Sequence, residues 1–562
     1  MPELFARILS GSPAPLSASV PAALRDVIER CLERDPARRY QHAREVRAAL
    51  AAIERGTGSP LAVWRRRLRR RPALAASAAA LVAAGLVVAN VDAVRERLGL
   101  GQAEATSLRL AVLPFENLTG NPAQDFLSDG LTEEMITQLG RMDPRLSVVA
   151  RTSSMRYKGT ALPPREIARE LGVDYLLEGS ARREGNRVRI SATLIDARAQ
   201  TQRWSQTFDR ELSGILTLQQ DAARGVADAL ALALFPAEQA RLATERPVDP
   251  DAHADYLRGL VYWTSGDFDT ALELFELARR RAADHPLPYI GIARVWLSRA
   301  QSGIVPPAEA VAPIRAALET ALSLDPTVPE AHFAEAAVAA WLEWDWSRAD
   351  AAFRRAIDAN PSYAEARAFY AHYLHIVGRG EEAPAHIELA VQLDPFNPLI
   401  RALYGVERTM NRRYEEALVQ FERARELAPT LRLALNNFAQ VYHSLGRYKE
   451  ALEAERRFWT TIGASDIAEL LAREYAAGGY ERAMEAAADA LAARPGERNV
   501  ASVHIATLYT RAGRTERAVD WLERAYDARD LNVPYIRAVS VTEPLRDHPR
   551  FRALVRRLNL PE

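Results

Sequence analysis

The sequence predicts a multidomain chain: a compact α/β unit, then an all-α solenoid of repeated helix pairs, with one membrane-spanning helix on the N-terminal side. Three observations carry that expectation. Twenty consecutive residues, Pro72 to Val91, hold no charge. Residues 108–234 mix strand-like apolar runs with helix-like amphipathic ones. From about residue 250 a short turn followed by alanine recurs at a spacing close to 34.

At 562 residues the chain exceeds a single core, since domains usually hold about 100–200 residues. Hydrophobic residues make up 48% and charged residues 26%, a globular balance. Lys plus Arg and Asp plus Glu number 73 each, so no net charge draws the chain to nucleic acid, and no nucleic-acid partner is expected. Cys31 is the single cysteine, which excludes an intrachain disulfide and a cysteine-built zinc site. The opening Met1-Pro2-Glu3-Leu4 lacks the basic start and apolar core of a signal peptide.

Residues 1–55 read as two amphipathic helices around Asp35-Pro36. Proline ends the first, because it donates no helical hydrogen bond and restricts the residue before it. The stretches MPELFARILSGSP, SVPAALRDVIERCLERDPARRY and QHAREVRAALAAI resemble the last part of a bacterial serine/threonine protein kinase domain. The resemblance implies that Leu32, Asp35, Pro36 and Arg39 close a kinase C-terminal lobe, Arg39 matching the arginine that pairs with an activation-segment glutamate. The Gly-rich loop with its strand lysine, the His-Arg-Asp loop and the Asp-Phe-Gly site are all missing. This segment is therefore expected to be a structural remnant, of a kinase that lost its front or of a gene that starts further upstream.

Residues 56–71 form a basic juxtamembrane linker with Arg65, Arg66, Arg67, Arg69, Arg70 and Arg71. Residues 72–91 follow with the length needed to cross ~30 Å of hydrocarbon. Beyond them, in the linker 92–107, Asp92 and Glu96 accompany Arg95 and Arg97. The excess of arginine on the first flank places the N-terminus in the cytoplasm and the rest outside it. The expected location is a single-pass protein of the inner or plasma membrane.

In residues 108–234, LRLAVLPF suits a buried strand and LSVVAR a second. Asp129 or Thr132 offers a cap for a helix through MITQLGRM, with Glu133 and Glu134 in its first turn. REIARELG is a helix ended by Gly172, Glu184-Gly185-Asn186 marks a hairpin, and a helix from about Ile215 to Leu234 closes the unit. Arg151-Thr152-Ser153-Ser154 suggests a phosphate site, but hydroxyls at a strand end usually satisfy local backbone groups. AVLPFENLTG, FLSDGLTEEM, VVARTSSMRYKG, ELGVDYLLEGSAR, VRISATLIDA and WSQTFDRE resemble the domain similar to the amino-terminal part of TolB. That resemblance implies a binding or sensing module.

Residues 250–540 repeat the pattern of GDFDTA, WDWSRA, GRGEEA, RRYEEA, GRYKEA, GGYERA and GRTERA. Their alanines are Ala271, Ala349, Ala383, Ala417, Ala451, Ala483 and Ala518. The gap of 78 between the first two leaves room for one degenerate unit, making eight in all. Small residues twelve before (Gly259, Ala337, Gly405) and seven after (Ala278, Ala356, Ala424) let two antiparallel helices approach closely, and prolines such as Pro361, Pro395 and Pro429 end the second helix. Period, small residues and proline together resemble the tetratricopeptide repeat, which stacks helix pairs into a superhelix. Residues 541–562 form a C-terminal helix or cap.

The resemblance implies a protein or peptide ligand in the groove formed by the first helix of each pair. Counting from the turn alanines puts His372, His375, Asn436, Asn437, Gln440 and His443 there. A metal at His372/His375 with Glu381, Glu382 and His386 is not expected, because an i,i+3 histidine pair is common by chance. Trp341, Trp344 and Trp346 suggest an aromatic contact patch, but core or inter-repeat packing is the expected role. Ser465 and Glu469 stand where a carboxylate-gripping groove needs basic groups. No catalytic residues and no cofactor are expected, and no GxSxG occurs. The expected function is a membrane-anchored, non-catalytic binding scaffold of a bacterial signalling system. The alternative is a fragment of a full-length transmembrane serine/threonine protein kinase whose catalytic part lies upstream. A transcription regulator is set aside, because the first 60 residues match a kinase tail rather than a helix-turn-helix.

Overall fold

The computed structural model describes residues 108–232, 248–494 and 501–561, with scattered positions between 20 and 50. The remnant residues Asp35, Pro36 and Arg39, the arginine run, the uncharged stretch 72–91 and the linker 92–107 lie outside the described residues. Among the described residues no helix is long and apolar enough to cross a membrane.

The first domain is built on a mixed sheet. Strand β1 (Leu108–Val112) has Leu110, Ala111 and Val112 fully buried, as a strand covered on both faces requires. A short β2 (Glu116–Asn117) and helix α1 (Asp125–Gly140) lead to β3 (Leu146–Val148), parallel to β1. Helices α2 (Arg151–Met155) and α3 (Pro164–Leu171) then carry the chain to β4 (Tyr175–Glu184) on the other side of β1. Strands β5 (Arg187–Asp196) and β6 (Thr201–Glu211) continue as an antiparallel meander, giving the order β3-β1-β4-β5-β6 with β2 beside β4. The β4–β5 turn holds Gly185 at φ +60°, which glycine adopts without strain. Helix α4 (Ile215–Ala229) packs with α1 and β6, while α3 covers the opposite face through Ile167, Ala168 and Leu171 against Ala111, Leu113 and Leu176.

Helix α1 starts a turn earlier than expected, so neither Asp129 nor Thr132 caps it. The Thr132 hydroxyl lies inside the helix, donates to the Ser128 carbonyl and accepts the Phe115 N–H at 2.9 Å. Asp129 instead receives Lys158 at 2.7 Å.

Eight helix pairs follow. They are α5 (Pro250–Ser265) with α6 (Phe268–Arg281), α7 (Pro286–Gln301) with α8 (Pro307–Leu324), and α9 (Pro329–Ala337), prolonged by a π turn, with α10 (Trp346–Ala359). Next come α11 (Ala364–Ile376) with α12 (Ala383–Leu393), α13 (Pro398–Met410) with α14 (Tyr414–Leu427), and α15 (Arg432–Ser444) with α16 (Tyr448–Thr461). The seventh pair is one element, α17 (Ser465–Ala492), broken at Gly478 and at Gly479, whose φ is +81°. The eighth is α18 (Ser502–Arg511) with α19 (Thr515–Asp527). Past Asp527 the helix pairs stop. The residues up to 540 that the spacing assigned to repeats form part of two 3-10 turns, Val533–Arg537 and Ser540–Leu545, before α20 (Pro549–Arg557).

All seven turn alanines are without exposed surface. Gly259 and Gly405 seat the rings of Phe275 and Phe421, and a Cβ at either would collide with its ring. That is the physical content of the small residue twelve positions before the alanine: a first helix that lets an aromatic side chain of the second lie on its backbone.

The two domains belong to one unit, Thr106–Glu562. Three inter-repeat loops, one after each of α8, α10 and α12, meet the sheet domain. Arg141 donates to the Thr327 carbonyl, Ser362 accepts the Val148 N–H at 3.0 Å, and Asp394 accepts both the N–H and the hydroxyl of Ser153, at 3.0 and 2.6 Å. The outer edge of β3 is thus covered by the solenoid rather than left as an open strand edge.

Candidate functional site

Successive first helices pack on one another (α5 on α7, α7 on α9, α11 on α13, α13 on α15) and so line the inner, concave side of the stack. Much of that surface already carries the C-terminal segment of the same chain. Tyr535 accepts a hydrogen bond from Trp341 Nε1 at 3.0 Å, with His372 Nδ1 3.5 Å from the same hydroxyl. Arg537 donates to the Ile376 carbonyl at 3.3 Å, Ser540 shares a hydrogen bond with Ser444 at 3.1 Å, and Glu543 pairs with Arg412. Four successive repeats, the third to the sixth, contribute to this grip. The other two tryptophans hold what flanks the segment: Trp344 packs on Tyr526 at 5.0 Å and under Arg529 at 4.1 Å, and Trp346 Nε1 donates to the Leu558 carbonyl at 2.8 Å.

The six residues expected on the groove divide into two sets. His372 is 2% exposed, and its Nε2 is engaged with the Leu403 carbonyl at 2.9 Å. Burial pulls its pKa to about 4, so the ring is neutral at pH 7. His375 lies 3.7 Å from Oε1 of Glu407, which is fully buried and accepts the Asn411 amide at 2.6 Å. Asn437 is buried and donates to the Leu433 carbonyl of its own helix at 2.8 Å. These three are taken up inside the solenoid, because the period that locates a helix face does not say how deeply the next repeat covers it. Asn436, Gln440 and His443 remain half-buried at i, i+4 and i+7 on α15. The His443 ring stacks on Tyr480 at 5.7 Å, and burial pulls its pKa to about 4 as well.

His386, the third histidine near the His372/His375 pair, packs edge-on against Tyr370 at 4.8 Å, and Glu382 is held by Arg379 at 2.6 Å. Among the described residues no three His, Cys, Asp or Glu side chains converge at ligating distance.

Sequence reasoning missed Tyr535, Arg537, Ser540 and Glu543, since nothing periodic marks them. It also missed two ionic groups. Glu455, 1% exposed, accepts from His504, Arg511 and Trp459 Nε1 at 2.8, 2.8 and 3.1 Å. Burial alone would push its pKa up, but the His504 and Arg511 charges outweigh that and hold it at about 2. At the other end α1 lies on the first repeat: Glu134 takes a hydrogen bond from Gln219 and lies 3.5 Å from His253 Nε2, and Glu133 meets Arg151 at 3.4 Å. In the Arg151–Ser154 tetrapeptide, Thr152 and Ser153 turn to the solenoid, through Asn397 and Asp394.

Comparison with known proteins bears on both domains. Residues 106–224 match the family described as HilA/YgeH-like transcriptional regulator, second domain. Residues 434–454 match the tetratricopeptide repeat. A Rhizobium meliloti (strain 1021) protein, "Putative adenylate cyclase 3", is 42% identical over 144 residues, 26% of this chain and 24% of that one. The chain thus spans about a quarter of the length of this curated relative. Among solved structures, the TPR protein TTC0263 of Thermus thermophilus is 20% identical, covers 38% of this chain and 98% of that one, and has a TM-score of 0.29. The TPR protein YrrB is 20% identical, with 36% and 97% covered and a TM-score of 0.26. Human IFIT1 is 15% identical, with 56% and 78% covered and a TM-score of 0.34. Likenesses this weak say nothing of a ligand. The repeat period, the helix pairs and the match within α15 and α16 agree: the chain is a mixed-sheet domain joined to a solenoid of the tetratricopeptide-repeat type.

Proposed function

We propose that this chain is a non-catalytic scaffold of a bacterial signalling system, anchored through residues 72–91, that takes a protein or peptide on the concave face of its repeats. The observation that carries the reading is the grip on residues 533–545: a surface that holds one irregular segment through Trp341, His372, Arg412 and Ser444 has the chemistry to hold another. Asn436, Gln440 and His443 offer polar contacts beside it, on the same helix as Ser444. A place in signalling draws support from the two names found for related sequences, a transcriptional regulator family and an adenylate cyclase.

A photo-crosslinking residue at Gln440, compared with one at Val419 on the second helix α14, tests the site in living cells. A discrete adduct at 440 that is absent at 419 is expected. Equal labelling at both positions would overturn the groove as the binding face. Reporters fused after residues 58 and 240 test the anchor: a cytoplasmic signal at both would remove the membrane from the proposal.

A further inference from the structure

The C-terminal cap bears an open cavity of about 780 Å³ lined by Arg537, Arg546, Pro549, Phe551, Arg552, Val555 and Arg556. Four guanidinium groups meet there, and no carboxylate lines it among the described residues. Helix α20 divides its arginines by face. On one side Arg550 is bound by Glu523 at 2.6 Å and Asp520 at 2.7 Å, with Glu516 at 3.4 Å, and Arg557 reaches Asp527 at 3.3 Å. On the cavity side Arg552 and Arg556, one turn apart, meet no carboxylate of the described residues. Arg546 comes no closer than 3.6 Å to Glu543, which Arg412 already holds. Arg537 is anchored by its bond to the Ile376 carbonyl and lines the cavity.

Like charges at i and i+4 on a short helix are unfavourable unless a counter-charge sits between them. A helix that neutralises two of its arginines on one face and leaves two converging with two others on the opposite face fits an anionic occupant. Guanidinium forks match phosphate oxygens pairwise, and a space of this volume suits a small organic molecule rather than a bare ion. Pro549, Phe551 and Val555 supply the apolar wall for its carbon part.

We propose that this cavity is a binding site for an anionic phosphate ester, held by Arg537, Arg546, Arg552 and Arg556. The phosphate belongs to a soluble molecule or to a phospholipid headgroup, two sources with the same recognising chemistry. The site adjoins the segment that crosses the concave groove, since Arg537 and Arg546 flank Ser540 and Glu543.

The test titrates the full chain with inorganic pyrophosphate and, separately, with phosphatidylcholine vesicles with and without phosphatidylglycerol. The variants are Arg552→Gln/Arg556→Gln and, as a control of equal charge loss, Arg550→Gln/Arg557→Gln. Saturable pyrophosphate binding that weakens about tenfold or more in the first pair, and less than threefold in the second, is expected for a soluble ligand. The same contrast seen only with phosphatidylglycerol vesicles assigns the phosphate to a headgroup. Hydrogen-exchange protection of residues 546–556 by the bound probe gives a readout on the unaltered chain, should the variants fold poorly. No saturable binding of either probe, or equal weakening in both pairs, would overturn the site.

Discussion

Tyr535 and Trp341 meet across 194 residues of sequence, indole N–H to phenol oxygen at 3.0 Å, and this bond joins the end of the chain to the third repeat. Replacing Tyr535 by Phe keeps the ring and removes the acceptor, which leaves the Trp341 N–H covered and unpaired. The expected cost is about 1–2 kcal/mol. Faster amide exchange over residues 533–545, with exchange in α15 and α16 unchanged, is the measurement that reads it. Slower or unaltered exchange in 533–545 would show that the segment does not depend on this contact.

His372 and His443, both held near pKa 4 by burial, make the groove acid-sensitive. Their folded values lie below the unfolded one of about 6.5, so the unfolded chain binds the protons more readily. Their contribution is intact above pH 6.5 and is lost progressively as pH falls toward 4. Urea midpoints measured from pH 7.5 down to 4.5 are expected to drop, and the drop to shrink in His443→Phe. A flat profile across that window contradicts the burial of both rings.

Glu455 also loses its contribution on acidification, over a lower pH window than the two histidines. Depressed to about 2, it adds stability that is complete above its unfolded value near 4.5 and disappears as pH falls from there toward 2. Glu455→Gln removes the charge that compensates Arg511, whose side chain is 2% exposed, and is expected to cost about 3–5 kcal/mol at pH 7. The Arg511→Met/Glu455→Met pair, which removes both charges, should recover much of the loss. A double variant as unstable as the single one would place the cost in packing instead.

The extent to which this could be read in advance differs between the parts. Each turn alanine marks a spot where two helices touch, so the 34-residue spacing of Ala349, Ala383, Ala417 and Ala451 reports packing directly, and the solenoid follows from it. LRLAVLPF is apolar at every position but Arg109 because both faces of β1 are covered, and the Glu184-Gly185-Asn186 turn is a local requirement. The site was less legible. His372 and Gln440 both satisfy the period of a first helix, yet one is sealed by the Leu403 carbonyl and by Tyr535 while the other stays half open. Only the neighbour in space decides that, and Tyr535 has no periodic signature. The loops around Asp325, Asn360 and Asp394 were visible as repeat ends. That they meet the sheet domain depends on partners more than 180 residues away, such as Arg141 and Ser153.

That junction supplies the last prediction. Burial raises the pKa of Asp394, against the hydrogen bonds it accepts from Ser153, Asn397 and Thr152. The raised value means that the folded state holds this proton more tightly than the unfolded one does. Ionising Asp394 therefore draws on stability as pH rises from its unfolded value through its folded pKa. Asp394→Ala leaves the Ser153 N–H and hydroxyl without their acceptor in a covered site, at an expected cost of about 2 kcal/mol. Asp394→Asn keeps one carbonyl oxygen for Ser153 and should lose less than half as much. Because Ser153 lies in α2, the first element after β3, and the Ala150 N–H donates to the Leu393 carbonyl, the effect should spread to the sheet edge. Amide exchange in residues 146–155 is expected to rise in Asp394→Ala while α18 and α19 keep their protection. Equal loosening at the far end would mean that the two domains unfold as one, and that the junction is not a separable hinge between them.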